Sequence, residues 1–149
     1  MKTLAIDPGA SGGIAWIDDD GNVRAQKMPD SMTETADVLR TLAAEGYRQA
    51  VIENVGGYRC GNSATSAVKF ARHVGHLEAI CYCLGIAVTK VAPNTWMTGI
   101  GTYPKDKALR KRAIKEDMAR RYPHLSVTLM TADALGILTW TIKGETCQQ

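Results

Sequence analysis

The chain has 149 residues, 45% of them hydrophobic, and its formal net charge is +3. This length suits one core of ordinary size, and no apolar run approaches the roughly 18 residues that a membrane-spanning helix needs. We therefore expect a single domain over residues 1–149 with no membrane partner. We also expect a cytoplasmic protein, because no basic stretch followed by an apolar segment precedes the first predicted strand.

Three successive antiparallel strands are predicted in the first part of the chain, near residues 2–7, 12–18 and 22–28. Each segment is apolar or alternates apolar and polar residues, as strands do. Turns are predicted at Pro8-Gly9 and at Asp20-Gly21-Asn22, where residues typical of tight turns interrupt the pattern.

A helix is predicted next, from Thr33 to Glu45, with Thr33 as its N-cap and Gly46 as its end. The apolar run Ala50-Val51-Ile52 follows and ends in Glu53. A parallel neighbour of the first strand needs a crossover connection, and this helix supplies one. The sequence thus predicts that the fourth strand lies parallel to the first and beside it.

The second part of the chain is predicted to hold three helices and one strand, delimited by cap residues and prolines. Their bounds are, in chain order, a helix from a cap at Asn62 or Ser63 to Gly85, a strand from Ile86 to Val91, a helix from Pro104 to Pro123, and a final helix that carries Asp133. No linker or repeat interrupts this order, which predicts an α/β domain.

Three acidic residues stand where these elements would present them at one edge of the sheet. Asp7 ends the apolar run Leu4-Ala5-Ile6, Glu53 ends the fourth strand, and Asp133 lies between small residues in the last helix. Each acid alone has an ordinary explanation, as a turn residue, a surface charge or a charge in a first helical turn. Together they would repel one another strongly without a cation, and oxygen ligands without Cys or His favour Mg²⁺ or Mn²⁺ over zinc.

Positive charge is concentrated in the helix that follows Pro104. Between residues 105 and 121 the chain has eight basic residues and three acidic ones. The segment is either a nucleic-acid-binding face, which would give salt-dependent affinity, or an ordinary solvated helix face. The three acids favour the first interpretation, because a metal-dependent nuclease needs both features. The basic residues are Lys105, Lys107, Arg110, Lys111, Arg112, Lys115, Arg120 and Arg121.

The order of the acids and the residues around them resemble the RuvC-type Holliday-junction resolvases of the ribonuclease H-like superfamily, from about Lys2 to about Ile142. The resemblance implies an α/β fold with a mixed five-stranded sheet flanked by helices. The motifs that carry it are Ile6-Asp7-Pro8-Gly9, Val51-Ile52-Glu53, Ser63-Ala64-Thr65-Ser66-Ala67-Val68-Lys69, Gly99-Ile100-Gly101 followed by Lys107, and Ala132-Asp133-Ala134-Leu135.

The resemblance also implies a function, that of a metal-dependent, structure-specific endodeoxyribonuclease cutting branched DNA such as Holliday junctions. Two Mg²⁺ ions, replaceable by Mn²⁺, would activate the attacking water. Asp7 would be shared by both ions, and Glu53 and Asp133 would complete the ligands. Lys107 matches an essential lysine position and would contact the scissile phosphate or neutralise charge that develops in the transition state, with Lys105 near enough to exchange roles with it. The expected DNA contacts are Lys105, Lys107, Arg110, Lys111, Tyr58 and Arg59, the last two in a loop that would probe the junction centre.

One position departs from the family pattern. The family usually has Asp or His three residues before its last Asp, and this chain has Met130 there. A thioether is a poor ligand for Mg²⁺, so one ion is expected to bind weakly. The alternative is that Thr131 or a water supplies the missing oxygen while Met130 packs in the core.

The long helix carries small residues at steps of three and four. Such a stripe lets another helix approach closely. It either packs on the protein's own sheet or, as the resemblance implies, forms a homodimer interface that suits the two-fold symmetry of a four-way junction. The stripe consists of Ala64, Ala67, Ala71, Gly75 and Ala79.

Two other functions compete with the nuclease. The first is a non-catalytic or weakly active branched-DNA-binding protein whose metal site is degraded at Met130. The second is a phosphate-binding domain of the actin-like or sugar-kinase-like type, because residues 7–13 resemble the first phosphate loop of that superfamily. Length argues against the second function, since those proteins close two domains around ATP.

Overall fold

The computed structural model describes residues 2–55 and 63–146. Within these residues the chain forms a five-stranded sheet and five helices. The strands are β1 (Lys2–Asp7), β2 (Gly13–Ile17), β3 (Val23–Lys27), β4 (Tyr47–Glu53) and β5 (Ala87–Val91); the helices are α1 (Met32–Ala44), α2 (Ala64–Cys83), α3 (Pro93–Ile100), α4 (Lys107–Arg121) and α5 (Ala132–Thr146). None of the helices in these ranges is long and apolar enough to cross a bilayer.

The sheet has the strand order β3-β2-β1-β4-β5. Its first three strands form an antiparallel meander, whereas β4 pairs in parallel with both β1 and β5. The prediction of a mixed sheet with β4 beside β1 is therefore confirmed. Ile6 of β1 is in register with Ile52 of β4, so the next residues, Asp7 and Glu53, end neighbouring parallel strands at the same edge.

Each face of the sheet is covered by its own group of helices. Leu4 and Ile6 point to the side of α1 and α2, while Ala5, between them, points to the side of α3, α4 and α5, because side chains alternate along a strand. Ala5 of β1 and Ala15 of β2 are fully buried on that second side. Their short side chains allow α5 to lie close to the sheet.

The N-cap of α1 is Ser31, so the prediction of Thr33 as the cap is wrong. The Ser31 hydroxyl accepts a hydrogen bond from the Glu34 backbone N–H at 3.2 Å. In return the Glu34 carboxylate accepts one from the Ser31 N–H at 3.1 Å. This reciprocal pair satisfies two backbone donors that would otherwise lack partners, which makes it better than a single cap at Thr33.

The connection between β5 and the basic helix also differs from the prediction. Residues Pro93–Ile100 form a helix that was not predicted, with the proline in its first turn. The basic helix starts at Lys107 rather than near Pro104, because the Asp106 carboxylate accepts a hydrogen bond from the Leu109 N–H at 2.9 Å and caps it. The predicted cap at Ser63 and the end of the basic helix before Pro123 are confirmed.

The small-residue stripe of α2 does not pack on the sheet. Four of its five residues are exposed and Ala67 is half-buried, whereas the buried residues of this helix are Leu77 and Cys81. A methyl group added to Gly75 would meet no atom within 4 Å. The interpretation of the stripe as an internal packing surface is therefore wrong, and these residues face outward.

Candidate metal and nucleic-acid site

Asp7 is held at the exit of β1 by a turn that only glycines allow. Gly9 has a φ of +108°, and the Gly12 N–H donates to the Gly9 carbonyl at 3.0 Å, which closes the turn. A Cβ on Gly12 would lie 2.0 Å from the Asp7 carbonyl oxygen, so no side chain fits there. The chain thus doubles back directly after Asp7, whose side chain remains only 9% exposed.

Glu53 ends β4 and is fixed by a residue that sequence reasoning missed. The indole Nε1–H of Trp96 donates a hydrogen bond to Glu53 Oε1 at 2.8 Å, and both side chains are buried. Trp96 belongs to the helix that was not predicted. The sequence does contain a pattern that predicts this helix. Its apolar residues follow the spacing of an amphipathic helix with a proline at its start, at Pro93, Trp96, Met97 and Ile100.

Asp133 lies in the first turn of α5. The flanking residues Ala132 and Ala134 are buried against the rest of the fold, which confirms that small residues let this turn approach the sheet closely. Just before the helix, the Thr128 N–H donates a hydrogen bond to the Thr131 hydroxyl at 3.0 Å and fixes the entry of the chain. Asp133 therefore approaches the end of the sheet from the helical layer.

The three acids line one open cleft with a volume of about 190 Å³. Pro8, Ser11 and Gly12 from the turn after β1 contribute part of its wall. The facing wall comes from Lys107, Arg110 and Lys111 of α4, residues that share one helix face because they are three and four positions apart. The structure thus brings together four predicted catalytic residues and two predicted DNA contacts, which are Asp7, Glu53, Asp133, Lys107, Arg110 and Lys111.

Lys105 does not share this cleft. It lines a neighbouring groove with Asn94, Thr98 and Tyr103, and Arg110 borders both spaces. The Arg110 guanidinium donates a hydrogen bond to the Lys105 carbonyl at 2.7 Å, which fixes the backbone rather than the ammonium group. The two lysines therefore line different spaces in this structure, and an exchange of roles between them stays a prediction. Tyr58 and Arg59 lie outside the described residues.

The carboxylates that line the cleft carry like charges, and burial together with neighbouring charges affects the pKa values of two of them, Asp7 and Asp133. Burial raises the pKa of Asp7 well above its ordinary value, and the charges of Asp133 and Glu53 raise it further, while Lys111 opposes the shift. Burial also raises the pKa of Asp133, against the opposing charges of Lys111 and Arg110. Lys111 and Arg110, which the sequence predicts only as DNA contacts, therefore also counter the charges of these carboxylates.

This donor set fits a hard divalent cation. The cleft offers carboxylate oxygens from three elements and neither Cys nor His among the described residues that line it. Within residues 2–55 and 63–146 no three His, Cys, Asp or Glu side chains lie close enough together, as they stand, to hold one metal ion. Mg²⁺ is commonly held by only one or two carboxylates together with waters and substrate phosphates, so an open arrangement suits it.

Met130 does not lie on the helical face of Asp133. It belongs to the turn before α5, it is 42% exposed, and it is not among the described residues that line the cleft. The expectation that it occupies the ligand position one helical turn before Asp133 is therefore wrong, and so is the alternative that it packs in the core. The helix begins only one residue before Asp133, so helical spacing does not extend back to Met130.

Comparisons with known proteins identify the fold. No protein-family model matches the chain, and a search of curated proteins gives no match. Among solved structures, the chain is similar to Thermus thermophilus RuvC in complex with a Holliday junction substrate, with 17% identity, a TM-score of 0.58 and 98% of each chain covered. A second Thermus thermophilus RuvC structure gives 16% identity, a TM-score of 0.56 and the same coverage. The chain therefore has the ribonuclease H-like fold of RuvC.

Proposed function

We propose that this protein is a metal-dependent endodeoxyribonuclease that cuts phosphodiester bonds in branched DNA, with four-way Holliday junctions as its main substrate. One observation carries the proposal: three carboxylates from β1, β4 and α5 line a cleft whose facing wall is the basic side of α4. The acids suit metal ions and the basic side chains suit phosphates. The fold supports the same conclusion, since one of the similar RuvC structures is a complex with a Holliday junction substrate.

The acids and the basic residues have distinct roles in this proposal. Asp7, at the end of the middle strand of the sheet, would hold two Mg²⁺ ions together with Glu53 and Asp133, and Mn²⁺ could substitute. When bound, the ions activate the attacking water and stabilise the charge on the attacking and leaving oxygens. Lys107 contacts the scissile phosphate from the first turn of α4, while Arg110 and Lys111 hold the neighbouring backbone.

Cleavage of a synthetic four-way junction tests the proposal. Purified protein is incubated with the junction in Mg²⁺, in Mn²⁺ and in EDTA, and with flap and duplex DNA of the same sequence. We expect paired cuts in the junction that require metal, and little cutting of duplex. Junction binding without cleavage in either metal would instead support the non-catalytic branched-DNA-binding protein, which the open, three-carboxylate metal site makes the second candidate.

The basic face of α4 predicts salt-dependent affinity. Replacing Arg110 and Lys111 together with alanine should weaken junction binding and reduce the slope of log affinity against log salt by about two, because each lost phosphate contact releases roughly one counterion fewer. Gel shifts over a range of salt concentrations measure the slope. The matched control is Lys27→Ala with Arg40→Ala, which removes two exposed charges outside the cleft. Equal slopes for the two double variants would contradict this role of α4.

The exposed stripe on α2 leads us to propose a homodimer. Val68 and Tyr82 on the same helix are also exposed, at 57% and 85%, so the helix presents an apolar and small-residue surface. Sedimentation is expected to detect a dimer at micromolar concentrations, and Ala71→Arg to convert it to a monomer by placing a bulky charge in the stripe. Ala44→Arg, at an exposed alanine of α1, is the control. A wild-type monomer at tens of micromolar that still makes paired cuts would exclude this dimer.

A further inference from the structure

We infer that Trp96 is a positioning residue that orients Glu53 for metal binding and fixes the spacing between β4 and the α5 helix that carries Asp133. The inference rests on the proposed metal site and adds to it a residue that holds no ion itself. Trp96 lies near the centre of α3, which follows the strand that ends in Glu53 and precedes the helix that carries Asp133 in the chain.

The first observation is the hydrogen bond between Trp96 and Glu53. The indole has a single N–H donor with a fixed direction, and it donates to Glu53 Oε1 at 2.8 Å. The two side chains are 1% and 9% exposed, so little water competes for this charge-assisted bond. The bond occupies one position on one oxygen. It holds the carboxylate in one orientation.

The second observation is the contact between Trp96 and α5. Gly136 lies one helical turn after Asp133, and a Cβ at that position would come within 2.5 Å of Trp96 Cζ3. The edge of the indole ring therefore rests directly against the backbone of α5. A rigid ring that touches Gly136 on one side and Glu53 on the other sets the separation of the two elements that supply these ligands.

These contacts have a consequence for metal affinity. An outer residue that orients a ligand typically contributes 10-fold to 100-fold to metal binding, because without it the ligand must lose its rotational freedom when the ion arrives. Trp96→Phe keeps an aromatic ring at this position but removes the N–H donor and the outer carbons of the indole, among them Cζ3, so the variant loses the bond to Glu53 and part of the contact with Gly136. The variant is therefore expected to fold and to bind divalent metal about tenfold or more weakly than the wild type.

Titration calorimetry with Mn²⁺ alone, on the full chain without DNA, measures this effect independently of cleavage. The binding heat that is present in the wild type and absent in Glu53→Gln is the heat of Mn²⁺ binding at the proposed carboxylate site. Trp140→Phe is the matched control, since the Trp140 ring also packs against α3, where a Cβ on Gly99 would lie 2.4 Å from Trp140 Cδ1. We expect Trp140→Phe to bind Mn²⁺ as the wild type does, and folded Trp96→Phe to bind it more weakly.

A second variant tests the spacing without altering the hydrogen-bonding groups. Gly136→Ala leaves the indole N–H and all three acids in place but adds a methyl group where the ring lies, so it too should weaken Mn²⁺ binding. In the Trp96→Leu background, where the smaller side chain leaves room, the same methyl group should have no further effect. Loss of affinity in Gly136→Ala alone supports the inference, even if Trp96→Phe proves unfolded.

Results that contradict the role of Trp96 differ from results that contradict the metal site itself. Folded Trp96→Phe and Gly136→Ala variants that bind Mn²⁺ as tightly as the wild type would overturn the role of Trp96 and leave the proposed nuclease intact. If wild type and Glu53→Gln gave the same Mn²⁺ isotherm, the metal site itself would be refuted, and the inference with it. If Trp96→Phe and Trp140→Phe weakened binding equally, the effect would come from α3 packing in general, which also overturns the inference.

Discussion

Asp7→Asn is expected to abolish metal-dependent cleavage of a four-way junction, to below about one-thousandth of the wild-type rate, while junction binding stays largely intact. Burial raises the pKa of Asp7, and the charges of both other acids raise it further, so Asp7 interacts with both of them. Its carboxylate is therefore the one of the three whose loss should most disturb the proposed metal site. The basic residues that face the DNA are unchanged in this variant, so affinity for the junction should survive.

Single-turnover cleavage and gel shifts on the same preparation measure the two properties together. Glu53→Gln and Asp133→Asn should give the same separation of rate from affinity, because each removes one carboxylate ligand. Asp37→Asn, at an exposed acid paired with Arg40 on α1, is the matched control and should cut at the wild-type rate. Substantial cleavage by Asp7→Asn would contradict the assignment of the active site.

The same variant gives a second readout through stability. The pKa of Asp7 is raised in the folded protein by burial and by the neighbouring carboxylates, so ionised Asp7 opposes folding once the pH exceeds that raised value. Metal-free Asp7→Asn should therefore melt at a higher temperature than the wild type near neutral pH. The difference should shrink as the pH falls through the raised pKa and vanish below about 4, where the carboxyl group is protonated in both states. Added Mn²⁺ should stabilise the wild type and not the variant.

The sequence predicted the acids well because each one depends on a local pattern. An apolar run that ends in an acid, followed by glycines, places the acid at the exit of a strand, and this holds for Asp7 and Glu53 alike. The parallel pairing of the two strands then followed from the helix between them. The sequence also contains the information that identifies the true N-cap of α1. Ser31 with Glu34 fits the capping-box spacing, whereas Thr33 with Ala36 does not.

The features that were missed depend on distant contacts or on helix phase. Trp96 meets Glu53 across 43 residues, and no local pattern indicates that an indole N–H will find a particular carboxylate. Met130 was assigned by counting helical turns backward from Asp133, but α5 begins at Ala132 and the count fails outside the helix. The α2 stripe was ambiguous because small residues suit an internal contact and an intermolecular one equally.

Lys107→Ala is expected to lower the single-turnover cleavage rate by about 100-fold to 1000-fold, which is the usual loss when one group that stabilises transition-state charge is removed. Lys107 begins α4 and lines the carboxylate cleft itself. Lys111, one turn further along the same face, already opposes the negative charge of Asp7 and Asp133. Lys107 is therefore the lysine of this face that we assign to the scissile phosphate.

Lys105→Ala provides the matched control for this assignment. It removes the same charge two residues away, from a side chain that lines the neighbouring groove instead of the cleft. We expect Lys105→Ala to weaken junction binding, with a rate at saturating enzyme close to that of the wild type. Lys107→Ala should do the reverse, because a contact made mainly in the transition state affects rate and leaves ground-state affinity nearly unchanged. Equal rate losses in the two variants would mean that the cleft and the groove act together on the phosphate, and a change in affinity alone for Lys107→Ala would remove it from the catalytic machinery.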